Sequence, residues 1–470
     1  MAVSEITLMK KIVAGLVCAF AVASADGSDW TRFRGPNGTG ISPDADPLPT
    51  TFGEKENLKW KVALPGAGVS CPIVVGDKVF VTCYSGYGID RQNPGDLKNL
   101  KRHLVCFDRA TGKTLWEKTV DAVLPEDEYT GMGVPEHGYA SHTPVSDGKA
   151  VYVFFGKSGV FAWDLDGKEL WNASVGTRSD DRAWGSSSSP IVYENVLVVP
   201  AGAETRAVVG MDKNTGKELW RSESEGLGNV WGTPAISKVD ETRSDIVTGA
   251  PDEIWAINPA TGKLKWYCTA MATDQFNSSV VVADGMIYAV EGRGGGSIAV
   301  KAGGKGDVTS SNVAWSGKDS NRFSTPLVYD GRIYLISGGT AKCINAADGK
   351  EIFQARLQGG AAPEAGGGAT GGGAPSGGAP GPLPGGGRGG RGGFGGGRGS
   401  DYSSPVLGDG KIFYATRGGD IHVLKAGDTF EKLATNRLTA ESEDFSATPA
   451  ISDGQIFIRS NKHLYCVSAN

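Results

Sequence analysis

The chain has 470 residues, of which 39% are hydrophobic and 21% charged, and its formal net charge is −5. So small a net charge gives no electrostatic basis for a nucleic-acid partner. Glycine, at 71 residues, is about twice its usual share, which points to many turns and one low-complexity stretch.

The N-terminal stretch MKKIVAGLVCAFAVASADGS, from Met9, has two lysines, a short apolar run and Ala23-Ser24-Ala25. It reads as a secretory signal peptide over residues 1–25, too short for a stable membrane span. Val17 before Cys18 is bulkier than a lipidation site wants, so the mature chain is expected to start at Asp26 without a lipid or a transmembrane span. Export to the periplasm or envelope follows. Residues 26–56 form an N-terminal extension that contains DWTRFRGPNGTGIS.

From residue 57 the chain is repetitive. ATGKTLW ends at Trp116, LDGKELW at Trp171, NTGKELW at Trp220 and ATGKLKW at Trp266, at spacings of 55, 49 and 46 residues. Such a period marks a stack of similar units. Upstream of each tryptophan, a Ser/Thr-Pro element opens two alternating apolar runs around a tight turn, as in STPLVYDGRIYLISG from Ser324 and SSPVLGDGKIFYATRG from Ser403. These are β-hairpins. A third strand such as LVCFD or VFAWD follows, and the Thr-Gly or Asp-Gly turn delivers the tryptophan on a fourth. Four antiparallel strands per repeat make a propeller blade.

Openings near Ser70, Ser141, Ser187, Trp231, Asn277, Phe323, Tyr402 and Phe445 give eight blades, an all-β ring over residues 57–470. The last unit shows three strands, and the orphan strand ENLKWKVALPG, carrying Trp60, is expected to supply its fourth and close the ring. Trp60, Trp116, Trp171, Trp220 and Trp266 are read as structural, packing between blades with each indole N–H on backbone. Phe353 replaces the indole in blade 6, Trp315 lies in an irregular segment of blade 5, and blade 7 has no aromatic there. Those three blades are expected to be the less regular ones.

The phrases CFDRATGKTLW and MDKNTGKELW resemble the tryptophan-docking repeat of the pyrroloquinoline quinone (PQQ) propellers, over roughly residues 57–470. The N-terminal DWTRFRGPNGTGIS resembles the segment preceding such propellers in planctomycete-type exported proteins. That superfamily includes quinoprotein dehydrogenases and also cofactor-free propellers, such as the scaffold of outer-membrane protein assembly. The resemblance therefore implies a fold and leaves the function open.

Cys106, Cys343 and Cys466 occupy matching third-strand positions and read as small core hydrophobes. Cys71 and Cys83 flank the first hairpin one position out of direct register, which leaves their pairing open. Residues 359–400, glycine-rich with Arg388, Arg391 and Arg398, read as a disordered insertion between blades 6 and 7.

A binding site on a propeller is built from the loops entering the first strand of each blade. The richest, LPEDEYTGMGVPEHGYASHTP, holds Glu126, Asp127, Glu128, Glu136, His137, Tyr139 and His142. Equivalent positions add Arg182, Trp184, Asn229, Trp231, Gln275, Asn277, Arg322, Asp401 and Asp444. An arginine beside an aromatic could hold a planar or carboxylated ligand. The five-residue spacing of His137 and His142 specifies no metal geometry, and no catalytic set stands out.

Two functions are compatible with these residues. The first is a non-catalytic, monomeric binding or scaffold module with a protein partner in the envelope and no cofactor. The second, implied by the resemblance, is a periplasmic dehydrogenase of alcohols or sugars using PQQ and calcium. The chain lacks the adjacent Cys-Cys pair and the haem CxxCH that many of those enzymes carry.

Overall fold

The computed structural model describes residues 28–44, 46–131, 133–291, 295–321, 323–358 and 401–469. The signal peptide, Cys18, Arg322 and the glycine-rich insertion lie outside the described residues.

Eight antiparallel sheets form the ring. Blade 1 contains Ile73–Val75, Lys78–Ser85, Lys101–Asp108 and Thr114–Asp121, paired in that order, and the next six sheets repeat the pattern. The hairpin turns explain why Asp-Gly recurs. A two-residue turn of the kind that matches strand twist needs positive φ at both positions. Asp330-Gly331 has φ of 49° and 71°, and Asp409-Gly410 has 51° and 66°.

Blade 8 closes as expected. Ala450–Ser452, Gln455–Arg459 and His463–Ser468 are completed by Leu58–Ala63, with Trp60 opposite Cys466 and Val62 opposite Leu464. This N-terminal strand leaves the last C-terminal strand without an open edge.

The glycine in each Gly-Lys-x-x-Trp phrase receives the tryptophan of the preceding blade. A Cβ on Gly112 would come within 2.7 Å of Trp60, one on Gly216 within 2.4 Å of Trp171, and one on Gly262 within 2.6 Å of Trp220. The same indoles donate to backbone carbonyls of the next blade: Trp60 to Arg109, Trp116 to Leu165, Trp171 to Lys213 and Trp220 to Pro259, all at 2.8–3.1 Å. One position of the repeat therefore makes the socket and another the plug.

Two expectations need correcting. Blades 5, 6 and 7 are regular four-stranded sheets. Trp315 docks like the others, with its N–H on the Ala346 carbonyl at 2.9 Å and its ring against Gly349. The departure falls on blade 4, where Gly306–Asp307, from the connection between the last two strands of blade 5, pairs parallel with Leu264–Thr269 as a fifth strand. Blade 5 lacks the glycine socket, so the N–H of Trp266 goes to the Asp245 carboxylate within its own blade, at 3.1 Å.

The Ser/Thr-Pro elements form a belt around the axis. At each blade boundary a backbone N–H donates to the hydroxyl at the equivalent position one blade on. The series runs Cys71 to Thr143, Thr143 to Ser189, Ser189 to Thr233, Thr233 to Ser279, Ser279 to Thr325, Thr325 to Ser404 and Ser404 to Thr448, at 2.9–3.1 Å. Cys71 holds in blade 1 the place of a hydroxyl, with its thiol against Thr448. Cys71 and Cys83 are both free, buried thiols.

The extension is laid across the hairpin-turn end of the ring. Trp30 exchanges backbone bonds with Val74, Ser146 donates its N–H to Thr31, and Ser42 donates to Leu407. From here two buried arginines reach the inner strands: Arg32 donates to the Pro234 carbonyl, and Arg34 to the carbonyls of Thr325 and Pro326. Residues 28–48 thus touch blades 1, 2, 4, 6, 7 and 8.

Candidate functional site

The first strand of each blade runs away from the end where the blade connections lie, so those loops converge on one mouth. Most of the residues singled out in the sequence meet there, bonded to one another. Glu136 accepts from Arg417 at 2.6 Å and from Arg91 at 3.2 Å. Arg417 also bonds Asp444 at 2.7 Å, lies over the Tyr402 ring, and donates its backbone N–H to Asp401 at 3.0 Å. Burial works against ionisation of Glu136, but Arg417 and then Arg91 outweigh it and hold the carboxyl below its usual range.

On the opposite flank, His137 donates from Nε2 to the Trp184 carbonyl at 2.9 Å, which leaves Nδ1 to accept from Ser141 at 2.7 Å. Burial lowers its pKa, so the ring is a neutral strut. Arg182 lies over Trp184, 5.0 Å from the ring centroid, and donates to Gln275 and, at 2.6 Å, to Asp274. Trp184 in turn packs against Trp231 with centroids 5.6 Å apart, and the Trp231 N–H bonds the Gly185 carbonyl at 2.8 Å. Asn277 stands apart, engaged with Glu291 through both its backbone and side-chain N–H groups.

Beneath this flank lies a buried charged cluster. Glu126 bonds Arg102 at 2.5 Å, and Lys157 bonds Asp127 at 3.1 Å and Glu126 at 3.6 Å. Tyr139 donates to the Asp127 carbonyl at 2.7 Å. His142 is buried against Phe154 and joins Ser186 at 3.0 Å, while Ser186 donates to Glu204. Burial pushes the Glu204 carboxyl up to about 7 and the His142 imidazole down to about 3, the latter helped by Arg102. The cavity they line with Arg102 and Lys157 has about 20 Å³ of space, room for a single water.

Arg417 and Glu204 were not singled out in the sequence. Both follow the second strand of their blades, and the turn between the second and third strands falls at the same end as the blade connections. That topology was the available signal. Arg322 lies outside the described residues.

Fold and mouth define an eight-bladed tryptophan-docking propeller of the PQQ type. The chain belongs to the family described as "Outer membrane protein assembly factor BamB", whose model matches residues 100–355. It is also similar to the polyvinylalcohol dehydrogenase of Sphingopyxis sp. (strain 113P3), 25% identical over 271 residues, which are 47% of this chain and 36% of that protein. The chain thus spans about a third of the length of that curated relative. Among solved structures it resembles BamB from Moraxella catarrhalis, with a TM-score of 0.55 and 11% identity over 87% of this chain and 97% of the other. It also resembles the quinohemoprotein alcohol dehydrogenase from Comamonas testosteroni, with a TM-score of 0.58 and 12% identity over 93% and 80%. A europium-containing methanol dehydrogenase has a TM-score of 0.57 and 12% identity over 94% and 98%. At such identities the likeness establishes the fold alone.

At the mouth the carboxylates Glu136 and Asp444 are both engaged by Arg417. Among the described residues no group of three or more His, Cys, Asp or Glu side chains is placed to hold a metal.

Proposed function

We propose that this chain is an exported, non-catalytic binding module whose mouth docks a protein partner in the cell envelope. The observation that supports this reading best is the partly exposed cluster of Trp184, Trp231 and Arg182, held rigid by Gln275, Asp274 and the Gly185 carbonyl. Tryptophan and arginine are the residue types most enriched at the energetic centres of protein interfaces, and rigid anchors lose little entropy on binding. The assembly-factor family of the match is consistent with such a role. A photo-crosslinking residue at Asp274, in the full chain expressed in its native envelope, is expected to trap one reproducible protein. Trp231→Ala should abolish that crosslink while leaving the fold intact. Failure to trap any reproducible partner would count against the reading.

A second reading, a PQQ-dependent oxidoreductase of alcohols or sugars, is favoured by the polyvinylalcohol dehydrogenase match. It requires the chain to bind quinone in spite of the engaged carboxylates at the mouth, and a direct titration separates the two.

A further inference from the structure

Three side chains from neighbouring loops form one hydrogen-bonded chain next to the tryptophan cluster. Glu204, in the turn Gly202–Thr205 that follows the second strand of blade 3, bonds Ser186 through Oε1. Ser186, in the connection into blade 3, joins Nε2 of His142, in the connection into blade 2, at 3.0 Å. Glu204 is 3% exposed and His142 4%. Glu204 Oε2 and His142 Nδ1 have no hydrogen-bond partner and are shut off from solvent. The chain therefore has two closed ends and one hydroxyl between them.

Those closed ends fix the direction of its hydrogen bonds. A protonated carboxyl has a proton to donate, and the contact available to it is from Oε1 to Ser186. Ser186 then gives its own proton to His142, which accepts at Nε2 and carries its hydrogen on Nδ1. An ionised carboxylate only accepts. Ser186 turns its proton to Glu204, and its oxygen accepts from His142, now protonated at Nε2. Passage from the first state to the second releases one proton to solvent, rotates one hydroxyl and exchanges the imidazole tautomer, while the ring stays neutral.

The surroundings bring this change close to neutral pH. Burial raises the Glu204 carboxyl to about 7, outweighing the Ser186 hydroxyl and its own backbone N–H. Glu126 raises it further and Lys157 lowers it. Lys157 and Arg102 line the same cavity but are already bonded to Asp127 and Glu126. Arg206, two positions along, is paired with Asp181 and Glu225. His142 faces Arg102 and His137, and burial with these neighbours holds it at about 3, so it does not become charged in the range where Glu204 titrates.

The middle of the chain is also tied to the mouth. The carbonyl of Gly185, which belongs to the peptide bond into Ser186, accepts the Trp231 indole N–H at 2.8 Å. Asp180 holds the backbone N–H groups of Trp184 and Gly185, both at 2.9 Å. A change of bonding at Ser186 therefore acts on the peptide against which Trp231 rests.

We propose that Glu204, Ser186 and His142 form a proton-linked switch, in which ionisation of the carboxyl reverses the hydrogen-bond chain and shifts the peptide that holds Trp231. The switch is a property of the free protein, and its effect on a bound partner rests on the docking role of the tryptophan cluster.

The test follows the full chain, free of any partner, by ¹⁵N NMR of its imidazoles and indoles between pH 5 and 9, with His142→Gln and Trp231→Phe identifying the two signals. His142 is expected to carry its hydrogen on Nδ1 in acid and on Nε2 in base, with a midpoint near 7, and the Trp231 N–H signal is expected to move with the same midpoint. Glu204→Gln, which does not ionise, should leave both signals independent of pH. Ser186→Ala should uncouple His142 from Glu204, and it decides the matter if Glu204→Gln does not fold. A single His142 tautomer across the range, a tautomer exchange that persists in Ser186→Ala, or a Trp231 signal that ignores the transition would overturn the proposal. Because no partner takes part, these outcomes are separate from failure of the crosslinking experiment.

Discussion

Arg417 and Glu136 are 281 residues apart in the chain and 2.6 Å apart in space. The same guanidinium reaches Asp444 at 2.7 Å, so one side chain of blade 7 ties together the connections that lead into blades 2 and 8. Each of the three groups is only about a quarter exposed. Arg417→Met is therefore expected to cost about 1–2 kcal/mol, above the usual 0–1 kcal/mol of a surface pair, because two carboxylates lose their partner together. Burial already disfavours the Glu136 carboxylate, so its pKa should rise in the variant. Carboxyl-carbon NMR of Glu136 and thermal unfolding check both outcomes.

Trp171 and Gly216 make up one plug and socket. Gly216 has a φ of 70°, and an added Cβ would meet the indole at 2.4 Å. Trp171→Ala should cost about 3–5 kcal/mol, and Gly216→Ala about 1–3 kcal/mol from strain and overlap. The double substitution should cost less than the two losses added, because the overlap disappears with the indole. Additive losses in denaturant unfolding would show that the two do not interact.

Deleting residues 57–66 removes the strand Leu58–Ala63 and the Trp60 plug, and exposes the edge of His463–Ser468. The deletion chain is expected not to fold, or to associate through that edge. A folded, monomeric product in size-exclusion chromatography and circular dichroism would contradict ring closure as described.

His142 and Glu204 give the stability opposite dependences on pH. The Glu204 carboxyl titrates near 7 when folded against 4.5 ordinarily, so its contribution is complete below about 4.5 and is lost as pH rises towards 7. Glu204→Gln should therefore be more stable than the parent above pH 7 and lose that advantage in acid. His142 titrates near 3 when folded against 6.5 ordinarily, so it favours the fold fully above 6.5 and costs stability as pH falls towards 3. His142→Gln should flatten the acid limb. Denaturant unfolding between pH 4 and 8 measures both slopes.

The ring was legible because its signals are local and repeated: Asp-Gly turns, alternating strands, and tryptophans at a near-constant interval. Even the closing strand could be found, since a blade with three strands and a strand without a blade match each other. The glycine sockets and the hydroxyl belt were present as motifs, but their purpose depends on the neighbouring blade, which the order of residues does not display. The fifth strand of blade 4 was hidden in a segment with no hydrophobic pattern, because Gly306 and Asp307 pair through backbone alone. At the mouth, loop composition pointed to Glu136, His137, Arg182 and Trp184, yet Arg417 and Glu204 sit in short turns and become partners only once the ring is closed. Arg32 and Arg34, in the extension, gave no sign in sequence of reaching blades 4 and 6.

Quinone titration bears most directly on whether the mouth is a docking surface. The purified full chain would be titrated with PQQ in the presence of Ca²⁺, followed by absorbance and by dye-linked oxidation of an alcohol panel. A docking module is expected to show neither saturable quinone binding nor turnover. Stoichiometric binding accompanied by alcohol oxidation would contradict the non-catalytic reading and assign the chain to the dehydrogenases it resembles.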